Sequence, residues 1–513
     1  MADDNRDAWY AALKAKDARF DGRFFVAVSS TGIYCRPVCS AKVPKFENCS
    51  FHRTAAAAEQ AGYRPCLLCR PELAPGNAPI DASASLARRA ARLLEDNCGS
   101  DSSLEELARR LGCTDRHLRR VFAAEFSVTP IQYTQTCRLL LAKNLLTDTE
   151  LSVVDVAMAA GFGSLRRFNA LFKRQYRLVP SALRRRKEKQ VESAAQINLT
   201  LSYRPPYQWD AMLAFLALRA IPGVEVIQDG AYARAVALAG HDGKSHSGWI
   251  RVKHLPKKRA LDLEVSVSLL PVLAPVLARV RHLFDLGCDP AAVHEGLSAM
   301  NSLAPGLQVL GTRLPGSFDP FEMAVRAVLG QQITVGAART LTARVVDRYG
   351  TPVQTAIPGL SHVFPSPERI LALNGDIESH MGPLGIIRTR ARTLRALAQA
   401  LAAQEIGFGP GSQPEREMQK LLELPGIGPW TAQYIALRAM AWPDAFLPTD
   451  IGIKKALAPR TPKQISTLAQ TWSPWRSYAT INLWNCLHQP LAATHAPRKE
   501  KHHDRLCRPA ARR

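Results

Sequence analysis

The stretch Leu424-Pro-Gly-Ile-Gly-Pro-Trp430 decides how the C-terminal part of this 513-residue chain folds. A helical pattern of apolar residues stops at Pro425, and the segment 431–440 resumes that pattern directly after the turn. Gly426 and Gly428 allow a tight turn and leave the amides at the second helix's N-terminus unshielded, so that this end can accept a phosphate. The pattern predicts helix, hairpin, helix, although Leu-Pro-Gly-x-Gly alone also fits an ordinary glycine-capped turn between two helices.

A lone acidic residue follows the hairpin. Asp450 stands in Phe446-Leu-Pro-Thr-Asp-Ile-Gly-Ile-Lys-Lys-Ala-Leu457. With four further stretches, these segments give the chain from about 197 to 495 a resemblance to the AlkA-type 3-methyladenine DNA glycosylases of the helix-hairpin-helix superfamily. The further stretches are Tyr203-Arg-Pro-Pro-Tyr-Gln-Trp209, Phe318-Asp-Pro-Phe-Glu322, Ala327-Val-Leu-Gly-Gln-Gln332 and Trp475-Arg-Ser-Tyr478. Six separated matches in the family's order are hard to obtain by chance.

The resemblance implies a catalytic role for Asp450. In that family the matching aspartate assists departure of a damaged base, either by stabilising positive charge that develops on the deoxyribose or by activating a water. Both roles need an ionised carboxylate. Relatives that also cut the strand carry a lysine where this chain has Trp430. The resemblance therefore implies a monofunctional enzyme that leaves an intact abasic strand.

Four aromatic residues are candidates for the pocket that holds such a base. An alkylated purine is positively charged, and the face of an electron-rich ring attracts it. Trp430 and Tyr434 are four residues apart and share one face of the hairpin's second helix. Phe215 and Trp484 match further pocket positions of the family by their flanking residues, although each of these aromatics also fits an ordinary core position. The family often has tyrosine directly after the aspartate, where this chain has Ile451, which leaves the substrate range open.

The loop Gly330-Gln-Gln-Ile-Thr334 is the candidate for a wedge. A base inside a duplex must be flipped out before an enzyme can reach it, and a side chain must fill the gap. The resemblance assigns this position to Gln332. Some relatives have leucine there, so the glutamine is a departure that could also hydrogen-bond the orphaned base.

Two cysteine pairs dominate the N-terminal part of the chain, Cys35-x3-Cys39 and Cys66-x2-Cys69. Two close pairs separated by a loop suit tetrahedral Zn²⁺, because the fold can bring both pairs to one ion. Disulfides are the alternative. They are less favoured, because no apolar segment of a secretion signal follows the acidic start and the remaining cysteines are scattered without pairing.

The residues around those cysteines resemble the N-terminal domain of the Ada adaptive-response regulators. The matching stretches are Ser30-Thr-Gly-Ile-Tyr-Cys-Arg-Pro-Val-Cys39 and Gly62-Tyr-Arg-Pro-Cys-Leu-Leu-Cys-Arg70. The resemblance implies that Cys35 takes a methyl group irreversibly from a methylated DNA phosphate, while the other three cysteines complete the zinc site. The alternative is a purely structural zinc site. Lys42 and Arg64 are candidate phosphate contacts beside the metal.

A repeat about fifty residues long lies between these parts. The segment 121–130 recurs as 171–180, and each copy follows an amphipathic helix pattern, a glycine break and a basic helix pattern. Each unit opens on an N-cap signal, Ser103-x-x-Glu106 or Ser152-x-x-Asp155. Such a repeat predicts two helix-turn-helix units and is similar to the AraC-type DNA-binding domain. The second helix of each unit offers residues that could enter a major groove or contact phosphates. These residues are Arg116, His117, Arg119 and Arg120, then Ser164, Arg166, Arg167 and Asn169.

The bulk composition agrees with several DNA-facing domains. A formal net charge of +23 indicates a polyanionic partner. No run of 18 apolar residues occurs, so no membrane span is expected. We expect a multidomain protein, mostly α with one α+β segment, in which Asp262-Leu-Glu-Val-Ser-Val-Ser268 is a strand. The expected boundaries are 1–76 for the zinc module, 77–188 for the double helix-turn-helix, 197–284 for the α+β segment, 285–495 for the helix-hairpin-helix body and 496–513 for a disordered basic tail.

Two classes of function fit these features. The first is DNA alkylation repair by a glycosylase fused to a methyl-phosphotriester-accepting transcriptional regulator. The second is a damage-responsive DNA-binding activator whose glycosylase-like part is not catalytic, and the presence of Asp450 favours the first. The expected cofactor is one Zn²⁺ without any organic group. The expected partners are double-stranded DNA and RNA polymerase, and we expect a bacterial cytoplasmic, nucleoid-associated monomer.

Overall fold

The structure is a computed structural model that describes residues 6–75, 86–96, 98, 103–183, 195–240, 243–409 and 412–487. Within these residues the protein is multidomain and mostly helical, with a four-stranded mixed sheet, a five-stranded antiparallel sheet and a two-stranded antiparallel sheet. The basic tail predicted for 496–513 lies outside the described residues. No helix in the described part of the chain is long and apolar enough to cross a membrane.

The N-terminal module is a four-stranded sheet with two helices. Its strands follow the spatial order Cys49–His52, Phe25–Val28, Ile33–Cys35 and Arg64–Pro65, and its helices are Arg6–Lys14 and Ala55–Gln60. The last two strands run parallel, with Tyr34 opposite Pro65. Because Cys35 and Cys66 directly follow these partners, the register brings the two cysteine pairs to one end of the sheet.

The next part contains the two predicted helix-turn-helix units. Its helices are Leu86–Asp96, Leu104–Arg110, Asp115–Phe126, Pro130–Asp148, Val153–Ala159 and Leu165–Tyr176. The hydroxyls of Ser103 and Ser152 accept the backbone N–H groups of residues 106 and 155, so both units begin with the N-cap that the sequence indicates. The 19-residue helix Pro130–Asp148 joins the units and carries much of their shared core.

A five-stranded antiparallel sheet opens the second half of the chain. Its spatial order is Gln196–Ser202, Ala260–Ser266, Ser245–Leu255, Ala231–Ala239 and Glu225–Gln228, and the helix Trp209–Ala217 accompanies it. The run predicted as a strand at 262–268 ends two residues early, because a 3-10 helix begins at Val267.

The C-terminal body is helical apart from the short strands Thr351–Pro352 and His362–Val363. Its helices are Leu273–Leu283, Pro290–Gly296, Pro320–Leu329, Val335–Tyr349, Pro367–Leu371, Ile377–Met381, Arg388–Ala402, Pro414–Glu423, Pro429–Arg438, Ile451–Ala456, Pro462–Ala469 and Arg476–Cys486. The predicted helix-hairpin-helix is therefore present, with its hairpin between Glu423 and Pro429.

The two halves of the chain pack against each other. One hydrophobic cluster extends from Leu139 on the joining helix through Leu199 in the five-stranded sheet to Trp484 in the last described helix. At a second contact, the Arg23 guanidinium of the zinc module pairs with the buried carboxylate of Asp289 in the helical body. The regulator-like half and the glycosylase-like half thus share a core.

Glu59 is a buried carboxyl group that joins the zinc module to the helix-turn-helix part. It accepts hydrogen bonds from the hydroxyls of Tyr34, Thr136 and Tyr176 at 2.9, 3.1 and 3.2 Å. Burial raises the pKa of Glu59 to about 8, although these hydroxyls and the Lys143 ammonium favour its charged form. The group therefore holds its proton in the folded chain at a pH at which the unfolded chain has lost it.

Replacing this carboxyl by its neutral amide tests the burial. Between the ordinary pKa of 4.5 and about 8 the unfolded chain releases the Glu59 proton first, so the stability that this residue contributes falls as pH rises through that window. Glu59→Gln cannot ionise, and its free energy of unfolding relative to the unmodified chain should rise by on the order of 3 kcal/mol between pH 5 and pH 8. Denaturant unfolding at both pH values measures the difference. The exposed Glu150→Gln is the control, and an equal pH response of both variants would contradict the assignment.

Candidate active site and candidate metal centre

Asp450 is the N-cap residue of the helix Ile451–Ala456 and is half-buried. Its Oδ1 atom accepts the backbone N–H of Ile453 at 3.0 Å, which fixes the carboxylate at the start of the helix. Local sequence explains this placement, because aspartate is among the strongest N-cap residues.

Two indole groups hold the same carboxylate. Trp484 Nε1 donates to Asp450 Oδ1 at 2.9 Å, and Trp430 Nε1 donates to Asp450 Oδ2 at 3.2 Å. A Cβ atom at Gly452 would lie 2.9 Å from the Trp484 ring, so glycine at this position lets the indole approach. Since an ionised carboxylate only accepts hydrogen bonds, the charged form satisfies all three donors at once.

All four predicted pocket aromatics come together around Asp450. The rings of Trp430 and Tyr434 stack with centroids 5.1 Å apart and planes at 9°. Phe215 and Trp484 stack at 6.2 Å, and Tyr434 lies 6.3 Å from Trp484 in a tilted arrangement. Phe215 and Trp484 are buried, whereas Trp430 and Tyr434 keep part of their surface exposed. The exposed ring surface beside the carboxylate therefore belongs to the hairpin's second helix.

Arginines behind these rings were not predicted. The Arg219 guanidinium lies 3.8 Å from the Phe215 ring centroid, and that of the buried Arg438 lies 4.8 Å from the same ring. Burial alone would raise the pKa of Tyr434, but Arg438, Arg219 and Arg326 outweigh it, and the pKa lies below its ordinary value. Only Arg219 had a local signal, since it follows Phe215 by four residues, one turn of a helix.

The hairpin has the geometry that its glycines predict. Gly426 has a φ of +84°, and a Cβ atom there would lie 2.1 Å from Thr393 Oγ1, so no side chain fits. Gly428 is the N-cap residue of the ten-residue helix Pro429–Arg438. Gln332 is exposed at a φ of +55° in the loop before the helix Val335–Tyr349. The structure thus exposes the predicted wedge, while its insertion into DNA stays a prediction.

The four cysteines of the two pairs form one cluster. The Sγ atoms of Cys35, Cys39, Cys66 and Cys69 lie within 4.8 Å of one another. Four sulfurs bound tetrahedrally to one Zn²⁺ lie about 3.8 Å apart, a separation that falls within this limit, so the four cysteines fit the ion. Cys39 and Cys66 are buried, and Cys35 and Cys69 are partly exposed.

Hydrogen bonds distinguish the four sulfurs. The backbone N–H of Ala41 donates to Cys39, that of Leu68 to Cys66 at 3.4 Å, and that of Arg36 to Cys69 at 3.3 Å. Among the described residues no backbone N–H donates to the sulfur of Cys35. Cys35 is therefore the cluster sulfur that is both partly exposed and without such a bond. Sequence did not predict this difference, because it depends on three separate backbone turns.

The chain matches four protein families along its length. The metal binding domain of Ada matches residues 8–72, and a helix-turn-helix domain matches residues 107–186. The AlkA N-terminal domain matches residues 198–319, and the HhH-GPD superfamily base excision DNA repair protein matches residues 325–464. These matches confirm the multidomain fold class and the zinc site of the cysteine cluster.

Whole-chain relatives define the family. A Mycobacterium tuberculosis protein named "Probable bifunctional transcriptional activator/DNA repair enzyme AlkA" is 37% identical over 497 residues, which cover 95% of this chain and 98% of that protein. The chain belongs to this bifunctional AlkA family. Escherichia coli DNA-3-methyladenine glycosylase 2 is 39% identical over 56% of this chain and 96% of its own length. The bifunctional transcriptional activator/DNA repair enzyme Ada of E. coli is 38% identical over 32% of this chain and 43% of that protein.

In this AlkA-family chain the predicted groove-facing residues are all exposed. Leu118 and Phe122 of the first unit, and Phe168 and Phe172 of the second, are buried. The opposite helix faces carry the exposed set Arg116, His117, Arg119, Arg120, Ser164, Arg166, Arg167 and Asn169. Ser164 also caps its helix by accepting the Arg167 N–H. Beside the cysteine cluster, Lys42 is exposed and Arg64 is partly buried in its strand. Base or phosphate contacts by these residues stay a prediction.

Proposed function

We propose that the chain repairs alkylated DNA as a monofunctional glycosylase and, through its N-terminal half, accepts methyl groups from DNA methyl phosphotriesters and activates transcription. The observation that carries the proposal is the carboxylate of Asp450, held between two indoles at the edge of an aromatic pocket. The division into 1–76, 77–188, 197–284, 285–495 and 496–513 belongs to the same proposal, as do a monomeric state and contact with RNA polymerase.

Base release follows from the surroundings of Asp450. The flipped base stacks on the exposed surface of Trp430 and Tyr434, whose electron-rich faces attract a cationic purine. As the bond between C1′ and the base nitrogen breaks, positive charge grows on the sugar. The Asp450 carboxylate stabilises that charge or takes a proton from the attacking water. The indole hydrogen bonds keep the carboxylate in place, so little reorganisation is needed during the reaction.

DNA is held by groups on the same side of the body. The backbone N–H groups of Gly426 and Gly428 donate hydrogen bonds to a DNA phosphate at the start of the hairpin's second helix. Gln332 fills the gap that the flipped base leaves. Trp430 takes the place where strand-cutting relatives have lysine, so no amine attacks the sugar and the strand stays intact.

Methyl transfer is assigned to Cys35. Cys35, Cys39, Cys66 and Cys69 would hold the Zn²⁺, which when bound would keep their sulfurs as thiolates. A backbone hydrogen bond to a thiolate draws off electron density, so the partly exposed Cys35, for which the described residues show no such backbone donor, is the strongest accessible nucleophile. Its sulfur attacks the methyl carbon, a C–S bond forms, and the C–O bond breaks with its electron pair on the phosphate oxygen. The DNA is left as an ordinary phosphodiester and Cys35 as a thioether.

Methylation also changes the charge of the sensor. Four thiolates around Zn²⁺ carry a net charge of about −2, and one thioether reduces it to about −1. Repulsion from phosphates then weakens, so the modified chain binds DNA more tightly through the zinc module and the two exposed helix faces. This is the proposed route from damage to transcription.

A non-catalytic, purely regulatory chain is the second candidate. In its favour, Ile451 replaces the tyrosine that often follows the aspartate, and its side chain is 65% exposed. The intact arrangement of Asp450, Trp430 and Trp484 argues for catalysis instead.

Asp450→Asn separates the two candidates. The amide removes the negative charge and presents an N–H₂ group to one indole N–H, so base release from methylated DNA should fall at least about 100-fold, while DNA affinity changes little. Released bases are quantified by chromatography under single-turnover conditions. Asp347→Asn, on the exposed face of the helix Val335–Tyr349, is the matched control. Unchanged release in Asp450→Asn would rule out the mechanism.

Reduction with borohydride tests the monofunctional assignment. Without a lysine at position 430, incubation of the chain with damaged DNA and borohydride should trap no covalent complex. Gel electrophoresis of labelled DNA reports such complexes and strand breaks together. A trapped complex would overturn the assignment.

Cys35→Ser tests the sensor. The variant should accept no methyl group and lose the damage-induced rise in DNA affinity, while base release stays unchanged because none of the described contacts of Cys35 involves Asp450 or the four pocket aromatics. Mass spectrometry of cysteine peptides after exposure to methylated DNA measures the transfer, and the half-buried Cys113→Ser serves as control. Methylation of Cys39, Cys66 or Cys69 in the unmodified chain would refute the residue assignment. The absence of methylation on all four would leave a structural zinc site.

A further inference from the structure

One side chain bonds the wedge loop, residues 330–334, to the hairpin. The Gln331 amide Nε2 donates to the backbone carbonyl of Gly426 at 2.9 Å and to the Thr431 hydroxyl at 2.9 Å. Gln331 is half-buried, whereas its neighbour Gln332 is exposed in a left-handed backbone conformation. The two adjacent glutamines therefore have different surroundings. Gln331 is hydrogen-bonded within the protein, and Gln332 is exposed to solvent, where DNA can contact it.

The helix Arg388–Ala402 completes this connection from a third direction. The Arg390 guanidinium donates to the backbone carbonyl of Gln331, and the Thr393 hydroxyl donates to the carbonyl of Pro425 at 2.8 Å. The buried Thr393 also fills the space beside Gly426. The helix is thus bonded to the loop and to the hairpin, and the side chain of Gln331 supplies the third connection, between loop and hairpin. These three connections form a closed ring of contacts.

Two further contacts connect this ring to the candidate catalytic carboxylate of Asp450. Thr431, which accepts from Gln331, directly follows Trp430, and the Trp430 indole donates to Asp450. The hairpin holds a phosphate and the loop carries the wedge, so the relative position of the two determines where a flipped base comes to rest. A misplacement of about 1 Å at such a distance costs up to about 100-fold in rate.

We propose that Gln331 is a positioning residue for base flipping. Its amide fixes the wedge loop on the hairpin, so that Gln332 enters the duplex at a set distance from the bound phosphate. The inference rests on the proposed base-excision function, which supplies the need to flip a base. Without the amide the free loop is less ordered and must be fixed each time Gln332 inserts. The entropic cost of fixing it makes the flipped state less stable.

A positioning role differs from a general structural role in its dependence on the substrate. Damage to the pocket lowers release of a given lesion equally, whatever lies opposite it in the duplex. Loss of wedge positioning matters only where a paired base must be displaced, because a lesion without an opposing base costs much less to extrude. The matched substrates are duplexes with a single 7-methylguanine opposite cytosine or opposite an abasic-site analogue.

Gln331→Ala should release 7-methylguanine about tenfold more slowly from the paired duplex, the scale of two lost hydrogen bonds, and at most about twofold more slowly from the unpaired one. Gln331→Glu keeps the length of the side chain but turns an acceptor toward the Gly426 carbonyl, so it should behave like the alanine variant. Gln419→Ala is the control, an exposed glutamine on the helix before the hairpin for whose side chain the described residues show no hydrogen bond. Its release should match the unmodified chain on both duplexes.

Equal losses on both duplexes, or no loss in either Gln331 variant, would overturn the inference. Fluorescence of 2-aminopurine placed beside the lesion follows flipping without base release, and its rise should be smaller with the Gln331 variants. If the unmodified chain releases no base, the proposed function fails. The fluorescence still decides the role of Gln331, since equal signals from variant and unmodified chains exclude it.

Discussion

The carboxylate of Asp450 is the hydrogen-bond acceptor that connects three helices of the helical body. It accepts hydrogen bonds from its own helix, from Trp430 in the hairpin helix and from Trp484 in the last described helix. A hydrogen bond to a charged group contributes about 1.5–3 kcal/mol, more than one between neutral groups. Three elements separated by tens of residues are therefore oriented by one side chain. The aromatic pocket depends on this arrangement, because the same indoles that fix the carboxylate also form two of its walls.

A buried ionic group sets the position of the wedge loop. Glu225 and Arg234 of the five-stranded sheet meet Glu322 and Arg326 of the helix Pro320–Leu329, with N–O distances of 2.6 Å for Arg234–Glu322 and 2.9 Å for Arg326–Glu225. Buried charges are tolerated only when they are paired and hydrogen-bonded, so the four groups constrain one another. The helix they hold ends one residue before Gly330, where the loop begins. The sheet is thus connected to the start of this loop through charge pairing.

Sequence predicted the features that depend on local chemistry. The hairpin glycines, the serine N-caps and the two cysteine pairs each carry their signal within a few residues, and the structure contains all of them. The contacts of Arg438 with Phe215 and of Gln331 with Thr431 join residues about 100 or more positions apart. Such contacts depend on how helices pack, which no local pattern specifies. The roles of the site residues remain predictions, because geometry places them without showing a reaction.

The zinc cluster lies directly beside the contacts that join its module to the rest of the chain. Arg36 follows Cys35 and pairs with the buried Asp21, two residues before the Arg23 that binds the glycosylase-like half. Arg70 follows Cys69 and binds Asp148 on the helix between the two helix-turn-helix units at 2.6 Å. A charge change at the sulfurs therefore acts next to the arginines that hold both neighbours. Coulomb interactions among partly buried groups are only weakly screened. The zinc module is thus joined to the rest of the molecule by ion pairs on both of its sides.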